Sequence, residues 1–238
     1  MSIQKAREYL GTGYLEWILV VDGPGNLSNE IVTELTPDVC LQLPTRSGIA
    51  TARSSALAAA RGDYIFPLDA DDLISPVGIE SAIEVLDTTK IDWVALNRVL
   101  LDGNKTPHWH GYHNWTPGEL SEAWSAPFPF HPNTVVVRRE LALAVSGWPA
   151  LRVNEDLLFV LLLSEIAAGK SISEVATHYR VWPGQEIAKN NYVRDKANSF
   201  SYIELVINAW RARLGRQPIN APNAGVAFGR VAAEYVEY

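Results

Sequence analysis

Three aspartates fall within four positions, Asp69, Asp71 and Asp72, at the end of the apolar run "YIFPLDADD" (residues 64–72). Carboxylates this close repel one another and call for a counter-charge. Hard oxygen ligands suit magnesium, manganese or calcium. Asp69 and Asp71 are two apart, so a turning segment can offer both to one ion. Aspartates also make turns and cap helices, and that structural reading stands beside the metal one. A calcium loop of the EF type is excluded. Counting Asp69 as position one puts Glu80 at position twelve, but Leu73 then falls at five and Ile74 where the sharp-turn glycine belongs.

A second acidic pair, Glu155 and Asp156, opens "NEDLLFVLLL". Acids are favoured in the first turn of a helix, which accounts for the pair without function. A carboxylate is also a group that can take the proton of an attacking hydroxyl. Between them, residues 102–133 hold Trp109, Trp115, Trp124 and four of the five histidines, with no regular pattern. Indole faces stack on sugars and on nucleobases, so this stretch is a candidate acceptor surface. The alternative is a loop whose tryptophans pack back onto the domain. His108, His110 and His113 could ligate a transition metal, but no cysteine or carboxylate partner is evident.

The elements that must position these residues alternate. "EWILVVDG" (residues 16–23) reads as a buried strand ending in a Gly/Pro turn. "SGIATARSSALAAARG" is an Ala-rich helix with Gly62 as its C′ residue. "YIFPL" is a second strand, and "SPVGIESAIEVLD" a helix capped by Ser75 with Pro76 at its first position. "IDWVALNRVLL" is a further strand, "NTVVVRRELALAVSGW" a strand and short helix, and "NEDLLFVLLLSEIAAG" a buried helix ending at Gly169. "VATHYRVW" is the last strand candidate, and "SFSYIELVINAWRARLG" a polar-faced helix beyond it. Strands alternating with helices predict an α/β fold with a mainly parallel sheet flanked by helices. In such sheets ligands sit beyond the carboxyl ends of the strands, where Asp69, Asp71 and Asp72 fall.

The 238 residues suit one large domain with a small appendage. Cys40 is the single cysteine, which excludes an internal disulfide and a multi-cysteine zinc site and makes a reducing compartment the simplest context. The opening "MSIQKAREYLGTGY" has no apolar core, and the longest apolar run, "LLFVLLL", is far short of a bilayer span. A cytoplasmic protein without a transmembrane segment is expected. The net charge of −7 argues against broad nucleic-acid binding.

The pieces "WILVVDG", "GIATARSSALAAARGDYIFPLDADD", "NTVVVRRELALAVSGW", "NEDLLFVLLL" and "YRVWPGQ", in this order, resemble the family 2 glycosyltransferases of the GT-A fold. The resemblance implies a Rossmann-like catalytic domain over residues 1–185 and a helical C-terminal extension over 186–238. It implies an inverting glycosyltransferase that moves a sugar from a nucleoside-diphosphate sugar, a UDP-sugar first among them, to a hydroxyl acceptor. Mn2+ or Mg2+ would be the cofactor. Position by position, Asp22 would contact the nucleobase, Arg53 would lie by the nucleotide and Asp69 would face ribose or metal. Asp71 would hold the metal, with Asp72 beside it. Asp156 would be the catalytic base, with Glu155 as base or orienting neighbour. Trp109, Trp115 and Trp124 would bind the acceptor, which could be a glycan, a lipid carrier, a protein or a modified nucleic-acid base.

The family motif is not matched throughout. Ser54 stands where "ARN" has Asn, and Trp182 lies near a place where a histidine is frequent. The usual first strand, of the type "VSVIIPTYN", is missing, and "SIQKAREYL" looks like the helix that follows it. A slot in the sheet is therefore expected. A truncated start, a strand supplied from elsewhere or a degenerate protein would each explain it, and the tail "AGVAFGRVAAEYVEY" is a candidate to fill it. Two alternatives stay open. One is a non-catalytic GT-A relative that binds a sugar nucleotide or a partner. The other is a haloacid-dehalogenase-type phosphatase, although Leu73 stands where that superfamily has Thr or Val.

Overall fold

The computed structural model describes residues 3–11, 13–25, 27–101, 111–124, 128–182 and 192–222. Trp109, His108, His110 and the tail beyond residue 222 lie outside them. Helix α1 (Ile3–Leu10) leads into β1 (Ile18–Val21), α2 (Asn29–Leu35) and β2 (Val39–Gln42). Then come α3 (Ile49–Ala59), β3 (Tyr64–Ile65), β4 (Leu73–Ile74), α4 (Pro76–Thr88) and β5 (Trp93–Leu100). Strand β6 (His113–Trp115), α5 (Glu119–Glu122), a 3-10 turn (Pro132–Thr134), β7 (Val135–Arg138) and α6 (Arg139–Ala144) follow. The chain continues through α7 (Glu155–Ile166), β8 (Gly169–Tyr179) and α8 (Tyr192–Arg213).

The α/β class holds, with helices flanking the sheet, but the strand directions depart from the expected mainly parallel arrangement. Of six strand pairings among the described residues, β1–β2 and β5–β8 are parallel; β3–β7, β5–β7, β4–β8 and β6–β8 are antiparallel. Alternation in sequence predicts connections, not direction. No helix of crossover length lies between β5 and β7 among the described residues. Instead the 3-10 turn sits by the middle of β5, where Thr134 Oγ1 donates to the Leu96 carbonyl at 2.6 Å. From there β7 can only run back along β5.

The six-stranded sheet has the order β3-β7-β5-β8-β4, with β6 also on β8. Its two faces build two cores. Trp93, Ala95, Val135 and Val137 point to one side and pack with the leucines of α7 and with Phe200, Ile203 and Ile207 of α8. Val94, Leu96 and Val136 point to the other and pack with Ile79, Ala82 and Leu86 of α4 and Ala6 of α1. This is the period-two alternation of strands covered on both faces. Each fully buried leucine of α7 contributes about 1.5–3 kcal/mol. Helix α8 thus shares the main core.

The β1–β2 ladder forms a separate two-stranded sheet. No strand precedes β1 and β3 ends the larger sheet, so among the described residues no strand pairs with the outer edge of β1 or of β3. Ile18, Leu19 and Val20 stay half-buried.

The structure reassigns two glycines that the sequence places at helix ends. Helix α3 ends at Ala59 with an extended cap at Ala60, ahead of Gly62. Helix α7 ends at Ile166, and Gly169 is already the first residue of β8. A Cβ at Gly169 would lie 2.0 Å from the Trp93 ring, so close packing, not helix termination, demands the glycine there. Likewise "YIFPL" forms a ladder only at Tyr64 and Ile65, because Pro67 has no N–H to give. Strand β8 begins six residues before the expected "VATHYRVW" and ends at Tyr179.

Candidate active site

Four segments meet around Arg53. It stands on α3, with its side chain 11% exposed. Its Nη2 donates to Asp69 Oδ1 at 2.6 Å and its Nη1 to Glu155 Oε1 at 2.9 Å. Asp69 follows β3, and Glu155 opens α7. Asn133 of the 3-10 turn donates from Nδ2 to Asp69 Oδ2 at 3.1 Å. One guanidinium thus ties together two of the sequence-predicted carboxylates, 86 residues apart in the chain. Burial works against the Arg53 charge, but Asp69, Asp156 and Glu155 outweigh it and hold the guanidinium above its usual value.

The two acids at the start of α7 differ. Glu155 is buried, and burial first and the Asp156 charge second push its carboxyl upward against the pull of Arg53. Asp156 is half-buried and its Oδ1 accepts the Leu157 N–H at 2.7 Å. Asn154, just before them, is held left-handed at φ 61°. Its Nδ2 donates to Ser199 Oγ at 2.7 Å, and Ser199 Oγ in turn donates to the Lys196 carbonyl at 2.7 Å. A non-glycine residue in that region is strained and persists when its surroundings fix it. Here α8 does the fixing. Lys196 also faces Asp156: burial pushes its ammonium down, and Asp156 opposes that shift.

The three clustered aspartates separate into two roles. Asp69 and Asp71 are half-buried. Asp71 Oδ2 accepts from Trp182 Nε1 at 2.9 Å. Asp72 is 7% exposed and turned toward the end of β8, where its Oδ1 accepts the Arg180 N–H at 3.0 Å. Its Oδ2 has no hydrogen-bond partner among the described residues. Burial foremost, with Asp69 and Asp71 adding, pushes its carboxyl up to about 6 against the Arg180 N–H and the Arg98 charge. This placement departs from the expectation that Asp72 joins the metal set. The reason is register: Leu73 pairs with His178, so the residue before it is drawn under the outgoing strand.

Asp22, at the end of β1, accepts the N–H groups of Ser47 and Gly48 at 2.6 and 3.0 Å. It therefore fixes the start of α3, whose Gly48 N-cap has no side chain to do so. Ser54, one residue after Arg53, exchanges hydrogen bonds with the backbone of Trp148.

The tryptophans depart from expectation. Trp115 and Trp124 are each 6% exposed and belong to the main core. Trp115 donates to Ser171 Oγ at 2.6 Å and pairs with Gly169 at the start of β8, eleven residues of strand away from the aspartates. Trp124 meets Phe200 edge-on. Neither offers a face to an acceptor. His113 pairs with Glu119 at 2.7 Å, and no three His, Cys, Asp or Glu gather into a metal site among the described residues.

Sequence reading missed Asn133, Arg180, Lys196 and the bond from Trp182. "HPNT" carried a weak signal for the first, since Pro132 opens a short turn. The others lie on segments whose approach to the aspartates only the β4–β8 and α7–α8 packing creates.

The model of "Glycosyl transferase family 2" matches residues 2–152. Chondroitin synthase of Pasteurella multocida is 26% identical over 204 residues, 83% of this chain and 20% of its own length. An uncharacterized glycosyltransferase of Nostoc sp. is 30% identical over 94 residues, 38% of this chain and 29% of its own. The chain thus spans about a fifth of the chondroitin synthase it matches. Among solved structures, S. aureus TarS 1-349 in complex with UDP-GlcNAc aligns with a TM-score of 0.65 at 16% identity, over 87% of this chain and 66% of that one. The mannosyltransferase PcManGT of Pyrobaculum calidifontis, in complex with GDP-Man and Mn2+, aligns at 0.51 and 17% identity, over 91% and 65%. These likenesses show the GT-A fold. With the family model covering well over half of its length, the chain belongs to glycosyl transferase family 2.

Proposed function

We propose that this chain is an inverting, divalent-metal-dependent glycosyltransferase that moves a sugar from a nucleoside-diphosphate sugar to a hydroxyl acceptor. The observation that carries the reading is the acid surplus around Arg53. Asp69, Glu155 and Asp156 come together there in a family 2 protein, and Asp71 lies two residues on from Asp69 in the same turn. Residues 1–185 form the catalytic unit, and 186–238 the extension that buttresses it through α8.

Asp69 and Asp71 fit a hard divalent ion in donor type. Two carboxylates are too few to enclose one, and magnesium-like ions are commonly held by one or two carboxylates plus substrate phosphates. A bound Mn2+ or Mg2+ would supply Lewis-acid neutralisation of the diphosphate leaving group. GDP-Man and Mn2+ in the PcManGT complex, and UDP-GlcNAc in the TarS complex, support a metal and a nucleotide-sugar donor, with UDP-sugars first to test.

The chain's own residues divide the remaining work. Arg53 holds Asp69 in place and neutralises part of the acid surplus. Asp22 shapes the turn into α3, next to which the nucleobase would lie. Asp156, half-buried beside the buried Glu155, takes the proton of the acceptor hydroxyl as it attacks. Glu155 is spoken for by Arg53 and orients the start of α7. Inversion follows from one displacement with the base opposite the leaving group.

A thermal-shift panel tests this. Nucleotide sugars with Mn2+ should raise the melting temperature of the native protein, as any ligand selective for the folded state does. Asp71→Asn should abolish the metal-dependent part. A panel in which no nucleotide sugar shifts the protein with Mn2+ present would overturn the proposal. One observation favours a second reading, a non-catalytic sugar-nucleotide binder: among the described residues the β1–β2 ladder is not joined to the larger sheet. Donor binding without turnover toward any hydroxyl acceptor would select it.

A further inference from the structure

Three bonds tie the outgoing end of β8 to the aspartate turn. The Arg180 N–H donates to Asp72 Oδ1 at 3.0 Å, Arg180 Nε donates to the Asp71 carbonyl at 2.9 Å, and Trp182 Nε1 donates to Asp71 Oδ2 at 2.9 Å. The first two act on the backbone or on a buried acid and hold the turn. The third is different in kind, because it reaches the carboxylate of Asp71 itself. Trp182 is 46% exposed, so burial of the ring gives it little reason to lie there. An indole N–H is a donor only and cannot ligate a cation. A carboxylate oxygen has two lone-pair directions, so accepting one hydrogen bond leaves it able to coordinate.

We infer that Trp182 is a positioning residue for a divalent cation at Asp71: its N–H fixes the rotation of the Asp71 carboxylate so that a lone pair faces the ion. The inference rests on the reading of Asp71 as a metal ligand. Partners of this type hold first ligands in orientation, and their loss typically costs about 10–100-fold in metal affinity. Arg180 sets the height of the turn, and Trp182 sets the angle of the ligand.

The test measures Mn2+ affinity directly, by electron paramagnetic resonance of free Mn2+ in a titration with UDP present. Wild type, W182F and D71N are compared, and the melting temperature of each is taken in EDTA. W182F keeps an aromatic ring and loses the donor. It should bind Mn2+ about 10–100-fold more weakly, with its EDTA melting temperature unchanged, as suits a half-exposed position. D71N should bind none. If W182F binds Mn2+ within twofold of wild type, or more tightly, the indole does not orient the ligand and the inference fails. Loss of affinity accompanied by a matching fall in the EDTA melting temperature also overturns it, since the ring would then hold the fold. If wild type itself binds no Mn2+, the metal reading of Asp71 fails and takes the inference with it.

Discussion

Helix α7 carries a buried glutamate at each end, and the two are treated in opposite ways. Glu165, in the last turn, is fully buried and meets two arginines: Arg211 Nη1 at 2.9 Å and Arg216 Nη1 at 2.6 Å. Arg211 also reaches Glu122 at 2.6 Å, so two acids face two bases. Glu155, in the first turn, shares its single arginine with Asp69 and stands beside Asp156. The helix dipole makes the contrast sharper. It favours acids at the first turn and opposes them at the last. The end that the dipole already supports received more acids than bases; the end that it opposes received a full complement of bases. Charge at the last turn of α7 is balanced, whereas the first turn carries acid in surplus.

If that contrast is right, mutations at the two ends should fail in different assays. The largest effect is expected from Asp156→Asn. Transfer should fall by about 10²–10⁴-fold while the melting temperature and donor binding hold. Normal turnover in this variant would move the base elsewhere. Next comes Glu165→Ala, which removes the buried partner shared by Arg211 and Arg216, leaves Arg211 with Glu122 alone, and should cost about 3–5 kcal/mol in urea unfolding. Loss of activity without loss of stability there would erase the contrast. The smallest effect is on the pH dependence of stability. Asp72 has its carboxyl raised to about 6 from an ordinary value near 3.8. The folded state therefore binds a proton more readily than the unfolded one, and this contribution to stability is full below pH 4 and lost as pH rises through 6. Asp72→Asn keeps an oxygen for the Arg180 N–H and should flatten the melting-temperature decline between pH 4 and 6 in EDTA. An unchanged slope would assign the decline to other groups.

Much of the molecule could be read in the sequence where local chemistry decides it. Pro76 opens α4, and the apolar run after Glu155 does form a buried helix. The acids Asp69, Glu155 and Asp156 do share a site, and Arg53 does lie among them. Legibility ended where tertiary register decides. Helix α2 and β2 are short, seven and four residues, and a long bond from the Ile31 N–H to Ser28 Oγ, 3.4 Å, caps the first. The inward turn of Asp72 follows from the β4–β8 register, which no spacing encodes. Trp115 and Trp124 looked like a stacking surface because an irregular stretch hides its own burial; their rings are core for the same apolar reason that made them attractive.

The clamp of α8 on Asn154 has a consequence for how such an enzyme could change. The left-handed residue that sets the start of α7 is held from outside, by Ser199 and Lys196. If Asp156 is the base and Asp69 and Asp71 serve the donor, as proposed, donor chemistry is built from α3 and the aspartate turn, while the posture of the base is written on a separate helix. Substitutions along the first turns of α8 would then explore acceptor geometry while leaving the nucleotide half untouched. That modularity gives evolution, or a directed library, a place to alter what is glycosylated without relearning how the sugar is delivered.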